Sequence, residues 1–303
     1  MPKEGFVDLA GLKLHYMDWG GVGRSLVLLT GIGATAKYFG NLAPKLAQRF
    51  RVVGLTRRGH GRSDRPATGY DLDNFVEDIR GFMDAMGIEN AILVGHSMAG
   101  FEMANFAARY PQRVEAIVFL DAIYPKLQSE PDLTGDPLDT LPQIEPVDAD
   151  FASRQAYLAL NKRYSPDWAR IWNDAIEMDL MEKVKVHEDG HIEETADYAL
   201  FGQIWKSIEP QCPDYGRIKC PILAIVPDGN YHPSVPLDAS NELRDNANKY
   251  WNEKYLPSIR EKTKAFQQMV PSSRVVEWDT PHHRIFMSKE NETVQAIFDF
   301  LPN

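Results

Sequence analysis

The 303-residue chain is poor in cysteine, with only Cys212 and Cys220. That excludes a disulfide-stapled scaffold. Each cysteine precedes a proline, and two free thiols are expected, with an adventitious disulfide as the alternative. No apolar run approaches the roughly 18–20 residues needed to span a bilayer, so no membrane partner is expected. The start, Met1-Pro2-Lys3-Glu4-Gly5, lacks a basic segment followed by an apolar run, so no secretory signal is expected and the protein is placed in the cytoplasm. A basic excess is also missing: 33 Lys plus Arg face 43 Asp plus Glu, a net charge of −10. This argues against a nucleic-acid partner, which needs a basic face, and fits an ordinary solubility device. There is no repeat, no low-complexity tract and no P-loop.

What is present is a punctuated alternation of patterns. Leu12-Lys13-Leu14-His15-Tyr16 alternates like a half-buried strand, while Ser25–Thr30, Arg51–Leu55, Ala91–Val94 and Val114–Leu120 are apolar enough for strands covered on both faces. Between them, Tyr38–Phe50, Asp71–Met86 and Phe101–Tyr110 have helical spacing. Strands alternating with helices predict a parallel α/β sheet, with an antiparallel pair before it. After Asp121 the character changes. Ser129–Asp150 is rich in proline and acid and reads as a loop, and helical patterns follow, carrying Tyr157, Trp168, Trp172, Phe201 and Trp205. The alternation resumes at Cys220–Val226, followed by a mostly helical stretch from Leu237 to Met269, a strand at Arg274–Trp278 and a closing helix at Glu290–Leu301. The predicted organisation is one discontinuous core, residues 1–121 and 216–303, interrupted by a helical insertion at residues 122–215.

The sharpest chemical signal is Val94-Gly95-His96-Ser97-Met98-Ala99-Gly100, which follows a buried strand and opens a helix. This is the context of a nucleophile elbow, a tight turn that lifts a serine hydroxyl above the sheet and aims the next backbone N–H, that of Met98, at a developing oxyanion. The turn needs small neighbours, and Gly95 and Ala99 supply them, although Ala99 departs from the G-x-S-x-G form.

On these residues the chain resembles the α/β-hydrolase superfamily, in a capped, serine esterase-like branch, over nearly its whole length. Thr30-Gly31-Ile32-Gly33 after the third strand, Arg58-Gly59-His60-Gly61-Arg62-Ser63-Asp64 after the fourth and Asp279-Thr280-Pro281-His282-His283 after the last match its motifs in order. The resemblance implies an α/β-hydrolase fold: a mostly parallel central sheet flanked by helices, with a helical cap inserted after strand six. It also implies that the Ile32 N–H is the second oxyanion donor.

A serine nucleophile needs a base and the base an orienting acid. By the family's spacing His282 is the expected base and His283 the alternative. Asp121, ending the sixth strand, is the expected acid; Asp228 in Pro227-Asp228-Gly229-Asn230 is the alternative. His60 and His96 read as packing or pocket-wall residues, and His96, Trp168 and Trp172 are pocket candidates. No metal or cofactor is expected.

The implied chemistry is acyl transfer to water through an acyl-enzyme on Ser97. The expected substrate is a small molecule, the carboxylic ester or lactone of a bulky, largely apolar compound. The acidic loop at Ser129–Asp150 would suit a cationic one such as an amino-sugar-bearing macrolide. Amide or peptide hydrolysis and C–C bond hydrolysis are alternatives on the same machinery. Two further classes are weighed. A non-catalytic ligand-binding homologue would leave the serine, histidines and acids idle. An NADP-dependent reductase is suggested by Gly31-Ile32-Gly33-Ala34-Thr35-Ala36, Arg57-Arg58 and the Tyr250–Lys254 spacing, but that tyrosine lies too late in the chain. His187-Glu188-Asp189-Gly190-His191 spells a zinc motif, yet its Asp-Gly pair signals a turn rather than a helix.

Overall fold

A computed structural model describes residues 2–302. Ten strands form: β1 (Lys3–Leu9), β2 (Leu12–Gly20), β3 (Ser25–Leu29), β4 (Arg51–Leu55), β5 (Ala91–His96), β6 (Val114–Leu120), β7 (Val184–Val186), β8 (Ile192–Glu194), β9 (Ile222–Pro227) and β10 (Arg274–Trp278). Eight make one sheet in the order β1-β2-β4-β3-β5-β6-β9-β10, while β7 and β8 are a separate hairpin. The first two strands are antiparallel to each other, β2 is antiparallel to β4, and from β4 to β10 the pairing is parallel.

Strand periodicity builds two cores. Val27, Leu29, Val53, Leu55, Leu93, Ile117, Phe119, Ala224 and Val226 enter one. Their neighbours Leu26, Leu28, Val52, Ile92, Val94, Val118, Leu120, Leu223 and Ile225 enter the other, because successive side chains leave a strand on opposite faces. Helices cover both faces: α1 (Leu42–Leu46), α2 (Leu72–Ala85), α3 (Ala99–Arg109), α4 (Arg154–Tyr164), α5 (Pro166–Arg170), α6 (Asp174–Met181), α7 (Tyr198–Ile208), α8 (Asn241–Tyr250), α9 (Leu256–Met269), α10 (Ile285–Ser288) and α11 (Glu290–Phe300). Asp71 caps α2 through the Asn74 N–H at 3.0 Å, and Gly87, at φ 65°, follows its end.

One local difference from the sequence reading has a physical cause. The helix expected over Tyr38–Phe50 is broken into a 3₁₀ turn (Ala36–Phe39) and the short α1, with Gly40 between them. A side chain at Gly40 would meet the Met178 methyl of α6 at 2.6 Å, so the break lets α6 pack closely. Between α8 and α9 the chain makes a π turn, Trp251–Tyr255, just before Pro257. Proline has no N–H to donate, and the wider turn absorbs the missing bond.

The segment between β6 and β9 carries α4 to α7 and the β7–β8 hairpin, although β6 and β9 are neighbours in the sheet. It shares the cores of the sheet: Leu200, Ile204 and Ile208 enter the first, and Tyr157, Ile176 and Leu180 the second. Cys212 and Cys220 are free. No helix of the described residues is long and apolar enough to cross a membrane.

Candidate active site

Ser97 follows β5 directly and is held at φ 53°, a left-handed conformation that non-glycine residues avoid at a cost of about 1–3 kcal/mol. The surroundings enforce it. A Cβ at Gly95 would stand 2.9 Å from that of Ala99, and one at Gly100 would lie 1.8 Å from the Ala122 carbonyl oxygen. The strand can therefore turn into α3 only with small residues at these positions. Asp121 repeats the pattern one strand over. It follows β6 at φ 45°, and its N–H donates to Ile225 O at 2.8 Å. Two strained residues thus stand side by side at the C-terminal edge of the sheet.

Gly31, in the loop after β3, approaches them so closely that a Cβ there would be 2.9 Å from Ser97 Cβ. The loop is pinned from outside. Arg57 donates to Thr30 O (2.8 Å) and Gly31 O (3.3 Å) while its guanidinium holds buried Glu102 of α3 at 2.5 and 2.9 Å. Lys183 donates to Gly33 O (3.0 Å) and to Asp179 (2.6 Å), and Asp179 accepts from the Thr35 N–H and hydroxyl. With three carbonyls bound outside, the loop that carries Ile32 has a fixed orientation. Met98 is fully buried at the N-cap of α3.

The histidine pair divides. His283 Nδ1 lies 2.5 Å from Asp121 Oδ2, and His283 lines, with Ser97, both cavities that open on the serine. The expectation that His282 faces Ser97 is corrected: His282 is buried, its Nδ1 bonds Asp167 and its Nε2 lies 3.0 Å from the Tyr231 hydroxyl, in a separate cleft. Of the two, His283 lines the cavities that Ser97 lines and His282 does not. Asp228 is likewise corrected as an acid. It forms a two-point ion pair with Arg260 at 2.6 and 3.0 Å. Its backbone N–H donates to Trp278 O, and Gly229 donates to Thr280 O, so this motif anchors the histidine loop.

One cavity, about 670 Å³, runs between the Gly31–Ala34 loop and the segment that joins β6 to β9, past His96, Tyr38, Trp168, Lys183, Tyr198 and Phe201. The other, about 540 Å³, is bounded by Asp121, Tyr124, Trp205, Trp251 and Tyr255. Tyr124 stacks on Phe101 at 4.1 Å and lines the second cavity with Ser97. His96 lies with its ring 4.5 Å from that of His283 and its Nε2 3.1 Å from His283 O. Burial, reinforced by His283 and Arg284, pushes its pKa well below the ordinary value. Arg284 and Lys183 both lie over the Trp168 ring, at 4.6 and 5.9 Å. Trp172 is corrected as a wall of this site: it stands in the His282 cleft, its indole N–H donating to Glu177.

The rival motifs find other employment. Tyr250 donates to Leu133 O and Lys254 bonds Asp132, tying down the acidic loop. His187 and His191 flank the β7–β8 turn rather than sharing a helix face. Glu4, His15 and Glu182 bring potential metal ligands within 4.8 Å of one another, but Lys37 (2.5 Å from Glu182) and Arg62 (2.6 Å from Glu4) already neutralise the acids.

Residues 24–205 match the family described as the alpha/beta hydrolase fold. The chain belongs to the α/β-hydrolase family. Among curated relatives of this α/β hydrolase, it is 34% identical over 115 residues to 2-(acetamidomethylene)succinate hydrolase of Mesorhizobium japonicum, covering 38% of this chain and 41% of that protein. It is 33% identical over 128 residues to a bifunctional esterase/perhydrolase of Acinetobacter calcoaceticus, covering 40% and 46%. The matches thus span less than half of either relative's length. The crystal structure of E-2-(acetamidomethylene)succinate hydrolase superposes with a TM-score of 0.71 at 23% identity, covering 99% of both chains, a likeness of fold.

Proposed function

We propose that the protein is a serine hydrolase that cleaves a carboxylic ester or lactone of a bulky, largely apolar small molecule through an acyl-enzyme on Ser97. The reading rests on the 2.5 Å contact between His283 and Asp121 beside a strained serine. Asp121 accepts the Nδ1 proton and so leaves His283 Nε2 free as the base. His283 takes the Ser97 proton as Oγ attacks the carbonyl carbon. The Ile32 and Met98 N–H groups face the oxyanion, each worth about 10²–10³-fold. When the intermediate collapses, the carbonyl–oxygen bond breaks and His283 returns the proton to the leaving alcohol. Water, deprotonated by the same histidine, then releases the acid and restores Ser97. In this scheme the insertion acts as a cap, and its Trp168, Tyr198 and Phe201 give the larger cavity its apolar character.

The pairing of three of the seven acids in the Ser129–Asp150 loop lessens the charge left for the narrower cationic, macrolide-like substrate. Of the acids in the Ser129–Asp150 loop, Asp132, Asp136 and Asp150 are already bound to Lys254, His232 and Arg163 at 3.0, 3.0 and 2.8 Å. A second reading, hydrolysis of an amide in a carboxylate-bearing molecule, is favoured by the substrate named for the Mesorhizobium relative; Lys183 and Arg284 stand in the cavity wall but are already paired with Asp179 and Asp167.

The test is fluorophosphonate labelling with nitrophenyl ester turnover. One adduct on Ser97 is expected. Asp121→Asn should lose about 10⁴-fold in kcat, as a triad acid does when the base takes the wrong tautomer, and Asp228→Asn should keep near-native kcat. Wild-type turnover in Asp121→Asn refutes the assignment. Anilides turned over in preference to matched esters would select the amide reading.

A further inference from the structure

His282 is buried, chemically able and unused by the mechanism above. Its Nδ1 partner comes from the insertion. Asp167, near the start of α5, accepts from His282 Nδ1 through one carboxylate oxygen and from Arg284 Nη1 (3.0 Å) through the other. The residues on either side of His283 are thus gripped by one buried carboxylate. Burial pushes the Asp167 pKa up, but the His282 bond and the Arg284 charge outweigh it, and the group stays below the ordinary carboxylate value. Arg284 also donates to the Tyr38 hydroxyl and lies over the Trp168 ring at 4.6 Å, while Tyr231 closes the far side of His282.

We propose that Asp167 and His282 form a positioning clamp through which the insertion sets the catalytic histidine: with α5 seated, His283 is held between two anchored neighbours at the angle that meets Ser97. This rests on His283 being the base. The clamp acts by geometry, since His282 does not touch Ser97, and it makes the insertion part of the reaction centre rather than a lid alone. A displacement of about 1 Å in a reacting group is worth about 10²-fold in rate.

The experiment compares His282→Ala, His282→Asn, His282→Gln and His283→Ala by nitrophenyl ester kinetics, fluorophosphonate labelling rate and thermal midpoint. An asparagine amide N–H stands where His Nδ1 stands, whereas a glutamine places it where Nε2 stands. The clamp therefore predicts that His282→Asn keeps kcat within about threefold. His282→Ala and His282→Gln should lose about 10–100-fold in kcat and labelling rate with KM within twofold. A purely structural role would instead make kcat follow the thermal midpoint, with no rescue by asparagine. Full activity in soluble His282→Ala and His282→Gln overturns the clamp but leaves the base assignment intact, provided His283→Ala is inactive. An active His283→Ala, with His282→Asn as dead as His282→Ala, overturns the base assignment itself and with it the clamp.

Discussion

Arg57 offers a perturbation in which stability and catalysis come apart. Its guanidinium is buried, pairs with Glu102 at both oxygens and holds the Thr30 and Gly31 carbonyls beside Ser97. Arg57→Met leaves the Glu102 carboxylate buried and unpaired, which costs about 3–5 kcal/mol. For a chain of this size, at about 2 °C per kcal/mol, the melting temperature should fall roughly 6–10 °C. Removing the stranded acid as well, in Arg57→Met/Glu102→Leu, replaces an ion pair by apolar groups of similar volume, a change often neutral in itself. That fits the upward push which burial exerts on the Glu102 pKa against the pull of Arg57. The double variant should recover to within about 1–3 kcal/mol of the native protein, the remaining deficit being the Thr30 carbonyl left without its donor. Turnover should not recover, because neither variant holds the loop that presents Ile32. Both should lose about 10–100-fold in kcat, by the sensitivity of rate to a shift of about 1 Å. Calorimetry or circular dichroism reads the first quantity and nitrophenyl ester kinetics the second. A single variant melting within 2 °C of native would refute the buried-pair reasoning, and a double variant with native kcat would refute the loop-holding role.

Two further outcomes follow from the geometry. Gly100→Ala places a methyl 1.8 Å from the Ala122 carbonyl, a backbone atom that cannot yield, so α3 must shift away from the residue after Asp121; both melting temperature and kcat should fall, whereas an alanine at exposed Gly202, with nothing within 4 Å, should leave kcat unchanged. His60 and His96 are buried, and burial, the largest cause for each, holds their pKa values well below the unfolded value of 6.5, so below about pH 6.5 the unfolded chain binds protons that the native state refuses and stability falls as pH drops, by up to about 1.4 kcal/mol per pH unit for each; chemical denaturation at pH 7 and pH 5.5 should show this slope, reduced in His60→Gln.

Much of the scaffold is legible locally. The strands at Arg51–Leu55 and Val114–Leu120 are where their apolar patterns place them, because a strand covered on both faces must be largely apolar. The small residues around Ser97 announce the elbow because the turn admits nothing larger. The choice between two adjacent histidines is not legible in this way. His283 and His282 are chemically identical neighbours, and their acids stand 162 and 115 positions away in the chain. Asp167 carries no local signal, since Ser165-Pro166-Asp167 reads as the start of any short helix. The Trp172 expectation failed for a related reason: aromatic content shows that a segment packs, but not on which side.

The sequence by itself determined the sheet, the serine elbow and the loops that surround it, because each depends on periodicity or on the bulk of residues a few positions apart. Only the tertiary structure decided that His283 meets Asp121, that Asp228 anchors a loop and that Asp167 reaches back to His282. Those pairings depend on the directions in which side chains leave segments brought together by the whole fold, and direction at a distance is not written in local spacing.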